Sequence, residues 1–270
     1  MGGWAFAHFS LANFVNLFHY MNMIHEPGAA TLAVRDPSSL SPVERRRAEK
    51  VERILDATLT VVLEHGVEGV TISRLAKELS WSVGALYRYF PGKEAVLAEL
   101  QIRVLSDIGA RIVADLEASL RAPVIAGLPD GDRALLGLMV AADTYRRLAL
   151  EAPARFALIS GVIAAPREIL QGKEAEAVAF ALQSLLGQIA ELVSDAQRAG
   201  ALREGNAATR TLLLWSSVQG TLQIRKLARL DERMSDLPAL VVELVESLLA
   251  GWGAAPSSLV FLRPFVQVAR

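Results

Sequence analysis

The chain contains no cysteine, and no histidine follows His65. Disulfides, thiolate metal sites and thiol nucleophiles are therefore excluded outright. His8, His19, His25 and His65 are the only histidines, so residues 100–270 also lack the means for histidine-dependent triads or histidine zinc sites. No G-x-G-x-x-G, P-loop or G-x-S-x-G run is present. The stretch from Gly84 to Lys93 has the ends of a phosphate loop, but the spacing differs and Glu94 stands where Ser or Thr is required. Carboxylate or arginine chemistry stays open to the chain, but the expectation is a protein that is not an enzyme and carries no cofactor or metal. A cysteine-free chain fits a reducing cytoplasm, which is the expected location.

An excess of positive charge is missing too. The formal net charge is −1, and Glu44 to Leu100 holds as many Lys and Arg as Asp and Glu. Nucleic-acid-binding domains are often basic, so any DNA surface here must be a local arrangement of cations. Aromatics make up only 6% of the chain and Leu and Ala dominate, a mixture that favours helix. Hydrophobic residues reach 52% against 21% charged, enough for a sizeable core. No stretch alternates convincingly as a strand would. The expected fold class is all-α.

Residues 1–34 contain no Lys or Arg and a single acid, Glu26. Trp4 to Ile24 is apolar and aromatic but is interrupted by His8, Ser10, Asn13, Asn16, His19 and Asn22. A secretory signal needs a positive n-region, and a membrane span does not carry that many polar groups; no membrane partner is expected. Residues 1–43 are expected to be a loose N-terminal extension or the product of a start codon set too far upstream, with Met21 or Met23 as alternatives. A segment docking on the protein's own surface is the competing reading. Ala29 to Pro42, with Pro37, Ser38, Ser39 and Ser41, reads as a linker.

The texture changes at Arg45. Val51, Ile54, Leu55, Leu59, Val62 and Leu63 follow helical spacing, and Gly66 can end that helix. Thr71 offers an N-cap oxygen to a short second helix with Ile72, Leu75, Ala76 and Leu79 on its apolar face. After Ser80-Trp81, Ser82 can cap a third helix running from Val83 to Phe90. Pro91-Gly92 stops it, and a longer helix starts at Lys93. Two short helices about three residues apart, braced by longer ones, match the helix-turn-helix geometry that enters a major groove. Leu86 and Phe90 are spaced to face inward, which leaves Val83, Ala85, Arg88 and Tyr89 outward.

Thr71 to Leu97, TISRLAKELSWSVGALYRYFPGKEAVL, resembles the DNA-binding domain of TetR-type repressors, including the S-x-G-x-L-Y-x-Y-F run from Ser82 to Phe90. The resemblance is close from Arg47 to Leu100. Ser80 departs from it where glycine is usual, and Trp81 where a smaller aliphatic is usual. The resemblance implies that Ser73, Val83, Gly84, Ala85 and Arg88 face base edges, with the cap residue Ser82 on the same surface. It implies that Thr71, Tyr87, Tyr89 and Lys93 hold phosphates, and that Arg45, Arg46 and Arg47 lie near the adjacent backbone or minor groove. Core packing of the tyrosines and a simply solvated helix start for the arginines remain the alternatives. Residues 44–100 are thus expected to be the DNA-binding domain.

Beyond it, Leu97 to Leu120 continues helical, Arg121 to Arg133 reads as a loop, and helices are expected at 134–151, 153–164, 173–199, 207–230 and 238–252. A ligand-binding and dimerisation domain is expected over 101–253, followed by a C-terminal tail over 254–270. The last two helices carry wide apolar stripes. Leu212, Trp215, Gly220 and Leu222 on one, with Leu240, Val241, Leu244, Val245 and Leu248 on the other, suggest a four-helix interface between two copies, a homodimer. An ordinary monomer core is the alternative. This half resembles a TetR C-terminal subclass in which a tryptophan precedes a His-Gly pair; here the run is Trp215-Ser-Ser-Val-Gln219-Gly220. The expected partners are a palindromic double-stranded DNA operator, a second copy of the chain, and a small apolar organic effector that shifts the dimer to a spacing unfit for both half-sites. A helical DNA-binding or adaptor protein without a ligand is the alternative, and a pocket in the second half separates the two.

Overall fold

The computed structural model describes residues 41–164, 172–224 and 236–266. Residues 1–40, most of the expected extension and linker, and the distal part of the helix expected to reach Leu230 fall outside the described residues; Pro42 and Val43, expected in the extension, open the first helix. Eleven α-helices and no strand occur among the described residues. The chain divides into two compact units, Met1–Leu100 and Gln101–Arg270.

In the first unit, α1 (Pro42–His65) begins with a capping box: the Ser41 side chain accepts from the Glu44 backbone N–H, and the Glu44 carboxylate accepts from that of Ser41. Its buried face is Val51, Ile54, Leu55, Thr58, Val61 and Val62, an i, i+3, i+4, i+7 pattern. Leu63, expected on that face, is 63% exposed. It lies off the stripe by a helical step, and Val61 takes the inward place. Thr58 satisfies its buried hydroxyl on the Ile54 carbonyl at 2.7 Å. A 3₁₀ turn, Val67–Gly69, leads to α2 (Ile72–Leu79), capped by Thr71, whose hydroxyl accepts from Arg74 N–H at 3.1 Å. α3 (Val83–Tyr87) is capped by Ser82 in the same way, and it ends before the expected Phe90. α1, α2 and α3 close around Ile54, Leu55, Leu75 and Leu86, none of which has exposed surface.

Ser80 ends α2 in the left-handed conformation, φ 57° and ψ 38°, and it is the one non-glycine with positive φ among the described residues. The Trp81 N–H reaches back to the Ala76 carbonyl at 2.8 Å, closing the turn as a Schellman motif. The turn therefore needs the conformation that glycine adopts freely, and serine holds it at a cost.

α4 (Lys93–Leu120) enters the second unit at Gln101. There follow α5 (Pro123–Ala126), α6 (Asp130–Glu151), α7 (Pro153–Ala164), α8 (Gly172–Arg198), α9 (Ala207–Gln223), α10 (Leu237–Gly251) and α11 (Pro256–Val266). α6 is the hub: α7, α8, α9, α10 and α11 all pack against it, and most of its residues are buried. Two expectations are corrected here. α6 begins at Asp130, inside the stretch read as loop. Gly131 is a packing glycine there, since a Cβ would lie 2.7 Å from the Ala201 methyl, while Asp130 and Asp132 suit a helix N-terminus. Residues 254–270 are not a tail as far as Val266, because Leu259, Leu262 and Val266 recur on one face of α11 and are buried where that helix meets α6.

Burying α6 also buries charge. Asp143 pairs with Arg146 (Nε–Oδ1 2.8 Å) and Arg147 (Nε–Oδ2 3.1 Å), and Asp115 of α4 accepts from Arg147 and from the Thr144 hydroxyl (2.7 Å). Two carboxylates and two guanidiniums balance, which is the condition for keeping charges out of water. By length and composition α8 is apolar enough to cross a membrane. In this fold α6 and α9 pack on α8, whose Val178, Ala181, Ile189, Val193 and Ala196 are buried.

Replacing Ser80 with glycine is expected to stabilise the first unit by about 0.5–1 kcal/mol. That is the left-handed penalty of roughly 1–2 kcal/mol less the freedom glycine adds to the unfolded chain. A denaturant midpoint that falls in Ser80→Gly would contradict the turn geometry.

Candidate nucleic-acid interface and internal cavity

α3 presents an outward face of small and aromatic groups. Val83 is 40% and Tyr87 54% exposed, and Ser82, Gly84 and Arg88 are exposed beside them. Leu86 and Phe90 are buried beneath that face. A Cβ at Gly84 would meet nothing within 4 Å, so no contact inside the protein requires the glycine. Tyr87 is not a core residue, which removes the packing alternative for its ring. Thr71 and Ser73 at the start of α2, and Arg45 and Arg46 on the first turns of α1, are exposed; Arg47, Ala85, Tyr89 and Lys93 are half-buried.

Trp81 finds its packing in a row of rings and guanidiniums. Its ring lies 5.9 Å from that of Tyr89, Arg53 of α1 sits 5.5 Å over Trp81, and Arg47 sits 5.3 Å over Tyr89. The sequence puts Tyr89 on this surface but neither Arg53 nor the packing of Tyr89 on Trp81. The only signal was the tryptophan at a position usually smaller.

The second unit holds a partly open cavity of about 50 Å³ between α4, α6, α7, α8 and α9. Its walls are almost entirely aliphatic, with Tyr145, Thr211 and Trp215 as the exceptions. The Tyr145 hydroxyl donates to the Gln219 side-chain oxygen, and the Gln219 amide donates to the Ser160 hydroxyl at 2.7 Å, linking α6, α9 and α7. Burial pushes the Tyr145 phenol well above its ordinary range, and hydrogen bonding to Trp215 offsets part of this. Gln219, standing where the resembling subclass has histidine, thus serves as a buried hydrogen-bond bridge.

The residues expected to pair two copies separate into two groups. Leu222, Val241 and Val245 are buried within the unit, and Trp215 lines the cavity. These four are corrected, because α9 and α10 pack on each other and on α6 and so cover the inner half of their stripes. Leu212 and Gly220 are exposed, and Leu240, Leu244 and Leu248 are half-buried along one edge of α10. Leu213, 48% exposed, adjoins Leu212.

Residues 54–100 match the bacterial regulatory proteins of the tetR family, and residues 138–248 match the tetracyclin repressor-like C-terminal domain. The chain belongs to the TetR family. That family is one of regulatory proteins, not of enzymes. The HTH-type transcriptional repressor KstR of Rhodococcus jostii is 41% identical over 83 residues, 31% of this chain and 37% of the repressor. The chain thus matches little more than a third of that relative's length. An uncharacterized HTH-type transcriptional regulator of Mycobacterium tuberculosis is 27% identical over 203 residues, 75% of this chain and 94% of the relative. Among solved structures, FadR from Bacillus subtilis in complex with stearoyl-CoA superposes with a TM-score of 0.56 at 18% identity, over 74% of this chain and 98% of that one. At that identity the likeness shows this TetR-family chain's fold.

Proposed function

We propose that this TetR-family chain is a transcriptional repressor that binds a palindromic operator as a homodimer and is released by a small organic effector. The observation that carries the reading is the exposed face of α3, where Val83, Gly84, Tyr87 and Arg88 stand outward with no partner in the fold requiring them. A bare backbone flanked by small side chains lets a helix approach base edges closely, and Tyr87, Thr71 and Lys93 would then meet phosphates. The cavity favours a sensor over an adaptor without a ligand, and its walls favour an effector with substantial apolar surface. The stearoyl-CoA complex of FadR is an instance of this fold with an acyl ligand. Leu212, Leu213, Leu240, Leu244 and Leu248 form the outward apolar edge of α9 and α10 on which a second copy would pair. An effector that binds a wrongly spaced dimer a few kcal/mol better than the DNA-competent one empties the operator.

Selection from a random duplex pool is expected to enrich a palindrome, with affinity falling steeply as salt rises. Lys93→Ala should weaken all sequences alike, whereas changes at Arg88 or Val83 should alter the preferred bases. A pool that enriches no palindrome overturns the reading.

Gly84→Ala is expected to move stability and binding in opposite directions. Stability should rise by about 0.5 kcal/mol from helix propensity in open space, and operator affinity should drop about tenfold from the added methyl at the bases. Unchanged affinity in a titration with the selected duplex would show that α3 does not approach DNA there.

Leu244→Glu is expected to yield monomers in sedimentation, because a charge facing an apolar partner goes unpaired. A soluble variant that still sediments as a dimer would move the pairing surface elsewhere.

A further inference from the structure

Among the described wall residues of the cavity in the second unit, one hydroxyl is buried with nothing to bond. Of the three polar-bearing wall residues, Tyr145 bonds Gln219. Thr211, on α9 one turn before Trp215, is 2% exposed, and its hydroxyl has no hydrogen-bond partner. Other helical threonines show what Thr211 forgoes. Thr58, Thr60 and Thr221 each donate to the carbonyl four residues back, at 2.7, 3.2 and 2.9 Å. A buried hydroxyl without a partner destabilises, and valine would have the same shape without that penalty. Among the described residues, no Lys, Arg, Asp, Glu or His lines the wall. The buried charges of α6, those of Asp143, Arg146 and Arg147, are balanced with the help of Asp115 of α4.

We infer that this cavity takes an uncharged, largely hydrocarbon molecule bearing a single hydrogen-bonding oxygen, an alcohol or a ketone, and that Thr211 is the residue that selects it. The inference rests on the effector reading above and names the chemistry that reading leaves open. A carboxylate inside would face aliphatic walls without a cation, so acids are rejected. A cavity of about 50 Å³ has room for a few water-sized groups and not for a whole effector. The molecule therefore enters by displacing half-buried side chains on α8, Leu182, Leu185 and Leu186. Once inside, its oxygen meets the one wall hydroxyl that has no partner.

The test uses three probes that share a body and differ in the head: cyclohexane, cyclohexanol and cyclohexanecarboxylate at neutral pH. Binding to the full chain is measured by calorimetry for the wild type, Thr211→Val and Thr211→Ser. Cyclohexanol is expected to bind at least about tenfold tighter than the carboxylate. Thr211→Val should lose about fivefold in cyclohexanol affinity, the worth of one hydrogen bond, keep its cyclohexane affinity, and melt at a higher temperature without ligand. Thr211→Ser should keep the preference for cyclohexanol. Binding of the alcohol unaffected by Thr211→Val, or a carboxylate bound as tightly, overturns the inference and leaves the effector reading standing. If none of the three binds, the cavity is not an effector site, and the inference falls with that half of the proposed function; the operator selection is untouched by either result.

Discussion

The burial of α6 on nearly all sides is the constraint around which the second unit is arranged. A helix touched by α7, α8, α9, α10 and α11 cannot turn a polar face to water. Its Asp143, Arg146 and Arg147 must therefore be neutralised internally, with Asp115 of α4 supplying the fourth charge. Breaking such a set leaves an uncompensated charge in low dielectric, so the four residues act as one. The same helix carries Ala141, Ala142 and Tyr145 into the cavity wall. Fold and cavity thus share one element, and a molecule that moves Tyr145 acts on the helix that organises the domain.

The first unit shows how a charge-balanced segment can still offer cations. Arg47 and Arg53 are held over Tyr89 and Trp81 by ring faces. A guanidinium stacked on a ring is oriented by about 0.5–1 kcal/mol at an exposed site while keeping its full charge. Arg45, Arg46 and Arg88 add exposed charge on helix starts and ends. This is the local arrangement that a net charge near zero requires if the surface is to meet phosphates.

Much of this was legible from spacing and caps. Thr71 and Ser82 cap the helices they precede, and Leu86 with Phe90 faces inward as their spacing requires. What spacing does not contain is the identity of the body that covers a stripe. Trp215, Leu222, Val241 and Val245 read equally well as a surface for a second copy and as a wall of their own domain, and the fold uses them for the latter. Gly131 and the run from Pro256 failed for a related reason: glycine and proline read as breaks, while Ala201 and the α6 surface make them part of packed helices. Thr211 carried no signal in the sequence, because an unpaired hydroxyl is defined only by the partners around it.

In the proposed repressor two copies of α3 read successive grooves on one face of a duplex. Hydroxyl-radical footprinting of the selected duplex tests it most directly. Two protected patches related by the palindrome's dyad, with centres about 10 base pairs apart or a multiple of that, are expected. A single uninterrupted protected stretch, or protection that ignores the dyad, would contradict it.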